Sequence, residues 1–139
     1  LVIHDLTHEI PPFDIWAGAW HLAATAPYWP PGTVFVVVVD PGVGTERPAV
    51  VLRTRSGHDI VAPDNGLLGL LAERAGVAEV RAIDIERHRL PGSEGSPTFH
   101  GRDVFAVVGA RLASGRRGCR RWWAWTTRGR RSTARPWSA

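Results

Sequence analysis

The chain has 139 residues, 44% of them hydrophobic, enough for one domain with its own core and too few for two. Its longest apolar run, Val34 to Val39, is far too short to cross a bilayer, no charged segment followed by an apolar stretch opens the chain as a signal peptide would, and a single cysteine, Cys119, rules out an internal disulfide or a cysteine-built metal centre. These features fit a cytoplasmic protein. The net charge of +4 is unevenly placed, because residues 116–139 hold eight arginines and no acid, leaving residues 1–115 with a net charge of −4. A basic surface suited to a polyanionic partner is therefore a property of the tail and not of the body.

Leu1-Val2-Ile3 reads as a strand entered midway, running through His4 to Ile10 into a loop that Pro11-Pro12 keeps extended. Asp14 can cap a helix from Ile15 to Ala26, which Pro27 and the Pro30-Pro31-Gly32 turn close. Thr33 to Val39, β-branched and aromatic, reads as a central strand buried on both faces. Asp40 ends it, and Pro41 to Arg47 form a Gly-rich loop. Ala49 to Arg55 and Ile60 to Ala62 read as strands, Leu67 to Ala75 as a helix stopped by Gly76, and Val80 to Ile85 as a strand by alternation. A polar loop over 86–97 leads to a helix from Thr98 to Ala113. Strands interleaved with helices predict an α/β layered domain, with a central, mostly parallel sheet flanked by helices. The tail, with Trp122, Trp123, Trp125 and Trp137 among its arginines, has no helical or strand period. It reads as disordered, or as a departure from the natural reading frame near Gly115. The functional alternative is an Arg/Trp segment for nucleic acid or an anionic membrane.

Three segments could carry chemistry. In Asp40 to Arg47, a carboxylate stands beyond the C-terminal end of a buried strand, where open α/β sheets bind ligands. Glycines there let backbone approach a ligand, and Asp40 and Arg47 could meet as a charge-assisted pair. The same residues also suit an ordinary structural turn. The loop is neither a P-loop nor a dinucleotide fingerprint. In Ser96 to Asp103, His100 precedes a glycine at a helix junction and histidine titrates near neutrality, as a general acid or base must, although taken alone the segment reads more readily as a surface histidine in a helix cap. Pro63-Asp64-Asn65-Gly66 is a turn with its own conformational explanation. His4, His8, His21, His58 and His88 lack metal-ligand spacing, and Trp16, Trp20 and Trp29 read as packing residues.

Taken together, four ordered segments resemble the SAM hydroxide adenosyltransferases. They are Asp5 to Ile15, Val38 to Arg47, Ala62 to Leu68 and Thr98 to Phe105, and the match covers about residues 3–115. The resemblance implies that activated water attacks the ribose C5′ of S-adenosylmethionine, giving adenosine and methionine. It assigns the catalytic site to Asp40, Arg47 and His100, and the substrate-lining aromatics to Phe13 and Phe99. S-adenosylmethionine is then the substrate, and neither cofactor nor metal is required. Related fluorinases and chlorinases use halide on the same fold, but they replace the aspartate at the position of Asp40. The short Val50 to Ile60 connection also lacks the fluorinase insertion, so water is the expected nucleophile. A SAM-dependent halogenase, a non-catalytic adenosine- or SAM-binding remnant, and nucleic-acid binding through the tail stand as alternatives.

Two departures from the family pattern stand out. The family's first strand, with a Thr-Asp-Phe-Gly-like segment that binds the ribose, is not seen. Where a C-terminal β-barrel domain is expected, the tail follows instead. Members of the family form homotrimers with the substrate between subunits, so the resemblance implies a partial domain over 1–115 with little activity by itself. It does not imply a nucleic-acid or membrane partner.

Overall fold

The computed structural model describes residues 1–115; the expectations for the Arg/Trp tail lie outside the described residues. The elements run in order as helix α1 (Ile15–Thr25), a 3-10 turn (Ala26–Tyr28), strands β1 (Val34–Val36), β2 (Ala49–Thr54) and β3 (Asp59–Pro63), helix α2 (Gly69–Ala75), strand β4 (Val77–Ala82), a one-turn helix α3 (Ile85–His88), a π-helical turn (Gly101–Phe105) and helix α4 (Ala106–Ala113). Asp14 caps α1 as its residue type predicts, its Oδ1 accepting from the Ala17 amide at 2.8 Å. The 86–97 segment, expected to be loop throughout, begins with α3, whose cap is Asp84 accepting from the Arg87 amide.

The four strands form one sheet in the order β1-β3-β2-β4. Helices cover it as the α/β reading requires, but the sheet is mixed and not mostly parallel. Only β1 and β3 run parallel, while β2 pairs antiparallel with both β3 and β4. The cause is local: four residues, Arg55-Ser56-Gly57-His58, join β2 to β3 with Gly57 at φ 90°, and so short a link can make only a hairpin.

Alternation sorts the strand residues into two cores. Phe35, Val50, Leu52, Ile60 and Ala62 pack with α1 and α2 on one face, and Val51, Val61 and Ala49 pack with Val104, Phe105 and Val108 on the other. Helices on both faces explain why these strands read as unbroken apolar runs. Gly109 lets α4 lie close on β1, since a Cβ there would collide with Val36.

Several boundaries differ from the sequence reading. Leu1 to Ile3 are exposed and form no strand, because no strand among the described residues lies beside them. Strand β1 stops at Val36, although the Val37 amide still donates to the Val61 carbonyl at 3.0 Å. Strand β4 starts three residues early because Gly76, at φ 66°, turns the chain from α2 straight into the edge strand. Trp29 packs edge-on against Phe35, as expected of a packing residue, but Trp16 and Trp20 lie on the exposed side of α1.

Leu71→Ala should destabilise the fold by about 2–5 kcal/mol, since its side chain is fully enclosed between α1 and the sheet. Trp20→Ala on the outer side should change stability by no more than about 0.5 kcal/mol. Urea unfolding of the two variants checks the contrast.

Candidate active site

The chain leaves the sheet after Val39 and turns back within eight residues. The Val43 amide donates to the Asp40 carbonyl at 3.3 Å, and the Thr45 amide and hydroxyl both donate to the Gly42 carbonyl, at 3.1 and 2.6 Å. Gly44 adopts φ 79°, and a Cβ on Gly42 would stand only 3.2 Å from Arg47 Cγ. Gly44 needs glycine for its backbone, and at Gly42 a side chain would crowd Arg47.

The turn returns Arg47 to Asp40 as a two-pronged pair. Arg47 Nε donates to Oδ1 at 2.8 Å and Nη2 donates to Oδ2, while Nη1 donates to the Pro48 carbonyl. Both side chains are nearly enclosed, Arg47 at 10% and Asp40 at 5% exposure. The guanidinium also lies 5.2 Å from the Phe105 ring centroid, over its face.

His100, buried at the start of the π-helical turn, brings its Nδ1 to 3.3 Å from Arg47 Nη2 across 53 residues of sequence. A guanidinium only donates, so Nδ1 is the acceptor and the neutral ring carries its hydrogen on Nε2. Burial first, then the Arg47 and Arg89 charges, push the His100 pKa below its ordinary 6.5, and Asp40 and Asp103 oppose this only in part. The imidazole is therefore neutral at pH 7. A cleft of about 420 Å³ opens beside it, lined among others by Gly44, Thr45, Arg89 and Pro97.

Asp40, Arg47 and His100 thus meet as one cluster, whereas the two candidate aromatics do not join it. Phe99 is 56% exposed, with Arg102 stacked 4.9 Å from its centroid. Arg102 is held by the buried Asp103 through bonds of 2.6 and 3.0 Å, and these hydrogen bonds hold the Asp103 carboxyl below the usual carboxylate range. Phe13 is 73% exposed and sits at φ 68°, a backbone conformation disfavoured for a bulky residue.

Two residues around the cluster escaped the sequence reading. Arg89 clamps the segment leading to His100 by donating to the Glu94 and Ser96 carbonyls at 3.2 and 3.3 Å. Asn65, read as part of a turn and of a family-like segment but given no role, donates to the Val39 carbonyl. Nothing in the local sequence pattern marks either contact.

The chain matches the model of the SAM hydroxide adenosyltransferase N-terminal domain over residues 1–120. It belongs to the SAM hydroxide adenosyltransferase family. It is 50% identical over 110 residues to the (R)-S-adenosyl-L-methionine hydrolase of Methanocaldococcus jannaschii, covering 79% of this chain and 40% of that protein. The hydrolase of the same name from Thermus thermophilus is 44% identical over 116 residues, covering 80% of this chain and 45% of that one. The fluorinase of an Actinoplanes species is more distant, at 28% over 137 residues, covering 83% of this chain and 45% of the fluorinase. The crystal structure of an uncharacterized conserved protein from Thermotoga maritima superposes with a TM-score of 0.77 at 45% identity, over 84% of this chain and 45% of that one. The chain thus spans less than half the length of these relatives. Two of the four segments that carried the resemblance, Val38 to Arg47 and Thr98 to Phe105, converge on the Asp40–Arg47–His100 cluster, and Asn65 of a third bonds the Val39 carbonyl beside it.

Asp40→Asn should lower stability by about 3–5 kcal/mol in urea unfolding, because it strands a buried guanidinium. In an NMR titration His100 should protonate below 6.5. The folded chain then resists a proton that the unfolded chain accepts, so stability should fall as pH drops through 6.5 toward the folded pKa. His100→Gln should reduce that slope, and the remainder belongs to His88, whose pKa burial also lowers.

Proposed function

We propose that this chain carries the reaction centre of an S-adenosylmethionine hydrolase. The observation that supports the reading most is the assembly of Asp40, Arg47 and His100 from two distant segments around a glycine turn. The 44 to 50% identity to proteins named (R)-S-adenosyl-L-methionine hydrolase supports S-adenosylmethionine as the substrate.

Water attacks the ribose C5′ in line with the C5′–S bond. As the new C–O bond forms, the electron pair of the C–S bond passes to the sulfonium, and methionine leaves as a neutral thioether. The water's proton must then depart. Both Asp40 oxygens accept from Arg47 yet keep a further lone pair, so the carboxylate can orient the water and receive its proton. Neutral His100 presents Nε2–H as a donor that can hold the water oxygen, while Arg47 steadies the carboxylate and the developing negative charge. The leaving group is already cationic, so catalysis reduces to positioning and deprotonating one water.

Halide transfer is the second reading, because fluorinases are among the relatives. The carboxylate of Asp40 argues against it, since a fixed negative charge beside the nucleophile repels an anion and suits water. In the same reading residues 1–115 form a partial α/β domain, the whole assembly is a cytoplasmic homotrimer, and Phe13 and Phe99 face substrate. The exposed apolar side chains Leu1, Val2, Ile3, Phe13 and Trp16 support burial against a neighbour.

The deciding experiment incubates excess chain with S-adenosylmethionine and chloride under single-turnover conditions, which reveal even slow chemistry. Adenosine and methionine in equal amounts are expected, with Asp40→Ala and His100→Ala each about a hundredfold slower or worse. Chlorinated nucleoside, or adenosine formed equally by both variants, would overturn the proposal.

A further inference from the structure

The Pro63-Asp64-Asn65-Gly66 turn is an ordered motif that the reaction centre leaves unused, and it lies at the end of β3, beside the strand that delivers Asp40. Strand β1 pairs with β3 only as far as Val36, and the ladder's last contribution is the Val37 amide to the Val61 carbonyl. Beyond it, β3 ends at Pro63 and the chain turns toward α2. The Val39 carbonyl therefore loses its strand neighbour one residue before the catalytic carboxylate. Asn65 supplies the missing bond, its Nδ2 donating to the Val39 oxygen at 2.9 Å. Its other end is anchored, because Oδ1 accepts from the Leu67 amide at 3.2 Å, and Leu67 is fully buried in the core against α1 and α2. Gly66 at φ 102° makes the turn that aims this amide.

Given the hydrolase reading above, on which this rests, we infer that Asn65 is a positioning residue for Asp40. Its amide replaces a strand hydrogen bond and ties the Val39–Asp40 peptide to the buried start of α2. The side chain does not touch the reacting atoms in this account. It sets the direction in which Asp40 leaves the sheet, and through Asp40 the seat of Arg47 and the contact to His100. Both functional ends of the amide are used, so neither an acid nor a hydrocarbon can substitute.

Asn65→Asp isolates the contact. It keeps an acceptor for the Leu67 amide but turns an oxygen on the Val39 carbonyl. Asn65→Ala controls for the added charge. The rate of adenosine formation at saturation should fall by about a hundredfold in both, as small misplacements of a reacting group do. The half-saturating concentration should move less than about threefold, because ground-state binding is untouched. Independently of substrate, NMR should show the Arg47 Nε–H, locked on Asp40, exchanging with water at least about tenfold faster in both variants, while strand amides of β2 and β3 keep their protection. Unchanged Arg47 exchange in both folded variants would overturn the inference. If the parent chain forms no adenosine, the hydrolase reading fails, and the exchange comparison still decides whether Asn65 holds Asp40. If one variant does not fold, the other carries the test.

Discussion

The two-pronged contact between Asp40 and Arg47 organises everything around it. A carboxylate and a guanidinium that are both almost wholly enclosed must meet in good geometry, because desolvating either charge alone is expensive. The fork supplies two bonds to the carboxylate, the Pro48 carbonyl takes a third donor, and the Phe105 face lies under the cation. Such geometry demands a loop that reverses within a few residues, and a glycine at φ 79° makes the reversal while another leaves room for Arg47. The glycines of this segment therefore serve the ion pair, and the ion pair serves the water that the proposed reaction needs.

The two cores place this pair where two layers meet. Phe105 belongs to the core on the α4 face, and Leu67, which anchors Asn65, belongs to the opposite one. Asp40 is thus referenced to both sides of the sheet at the point where the ladder ends. A group held from two rigid faces retains its direction when substrate arrives, which is what a reaction governed by alignment requires.

Charge around His100 is balanced to one side. Arg47 and Arg89 outweigh the opposing effects of Asp40 and Asp103, and burial acts in the same sense as the arginines. The imidazole stays neutral near pH 7, with its hydrogen on the nitrogen turned away from Arg47. Arg89 acts twice, as a charge and as a clamp on the Glu94 and Ser96 carbonyls that shape the approach to His100. The neighbouring π-helical turn adds a residue to the helix start and lets Asp103 sink into the core while still holding Arg102 over Phe99.

Local chemistry in the chain determined a good deal. Asp14 as a cap, Gly76 as a helix stop, and the β-branched runs of β2 and β3 placed most elements in the correct order, because each depends on neighbours a few residues away. The segments bearing Asp40, Arg47 and His100 were legible for the same reason, as short runs of unusual residue types, and the family resemblance joined them. Tertiary structure alone decided the rest. The short link after β2 already implies its hairpin with β3, but the parallel pairing of β1 with β3 and the placing of β4 beside β2 depend on longer paths between strands and are invisible in any one of them. Trp16 and Trp20 turned outward because burial depends on which face of α1 meets the sheet, and apolar type by itself does not reveal that. The bond from Asn65 to Val39 spans 26 residues and the contact from Arg47 to His100 spans 53, so each exists only once the sheet has brought distant turns to one end.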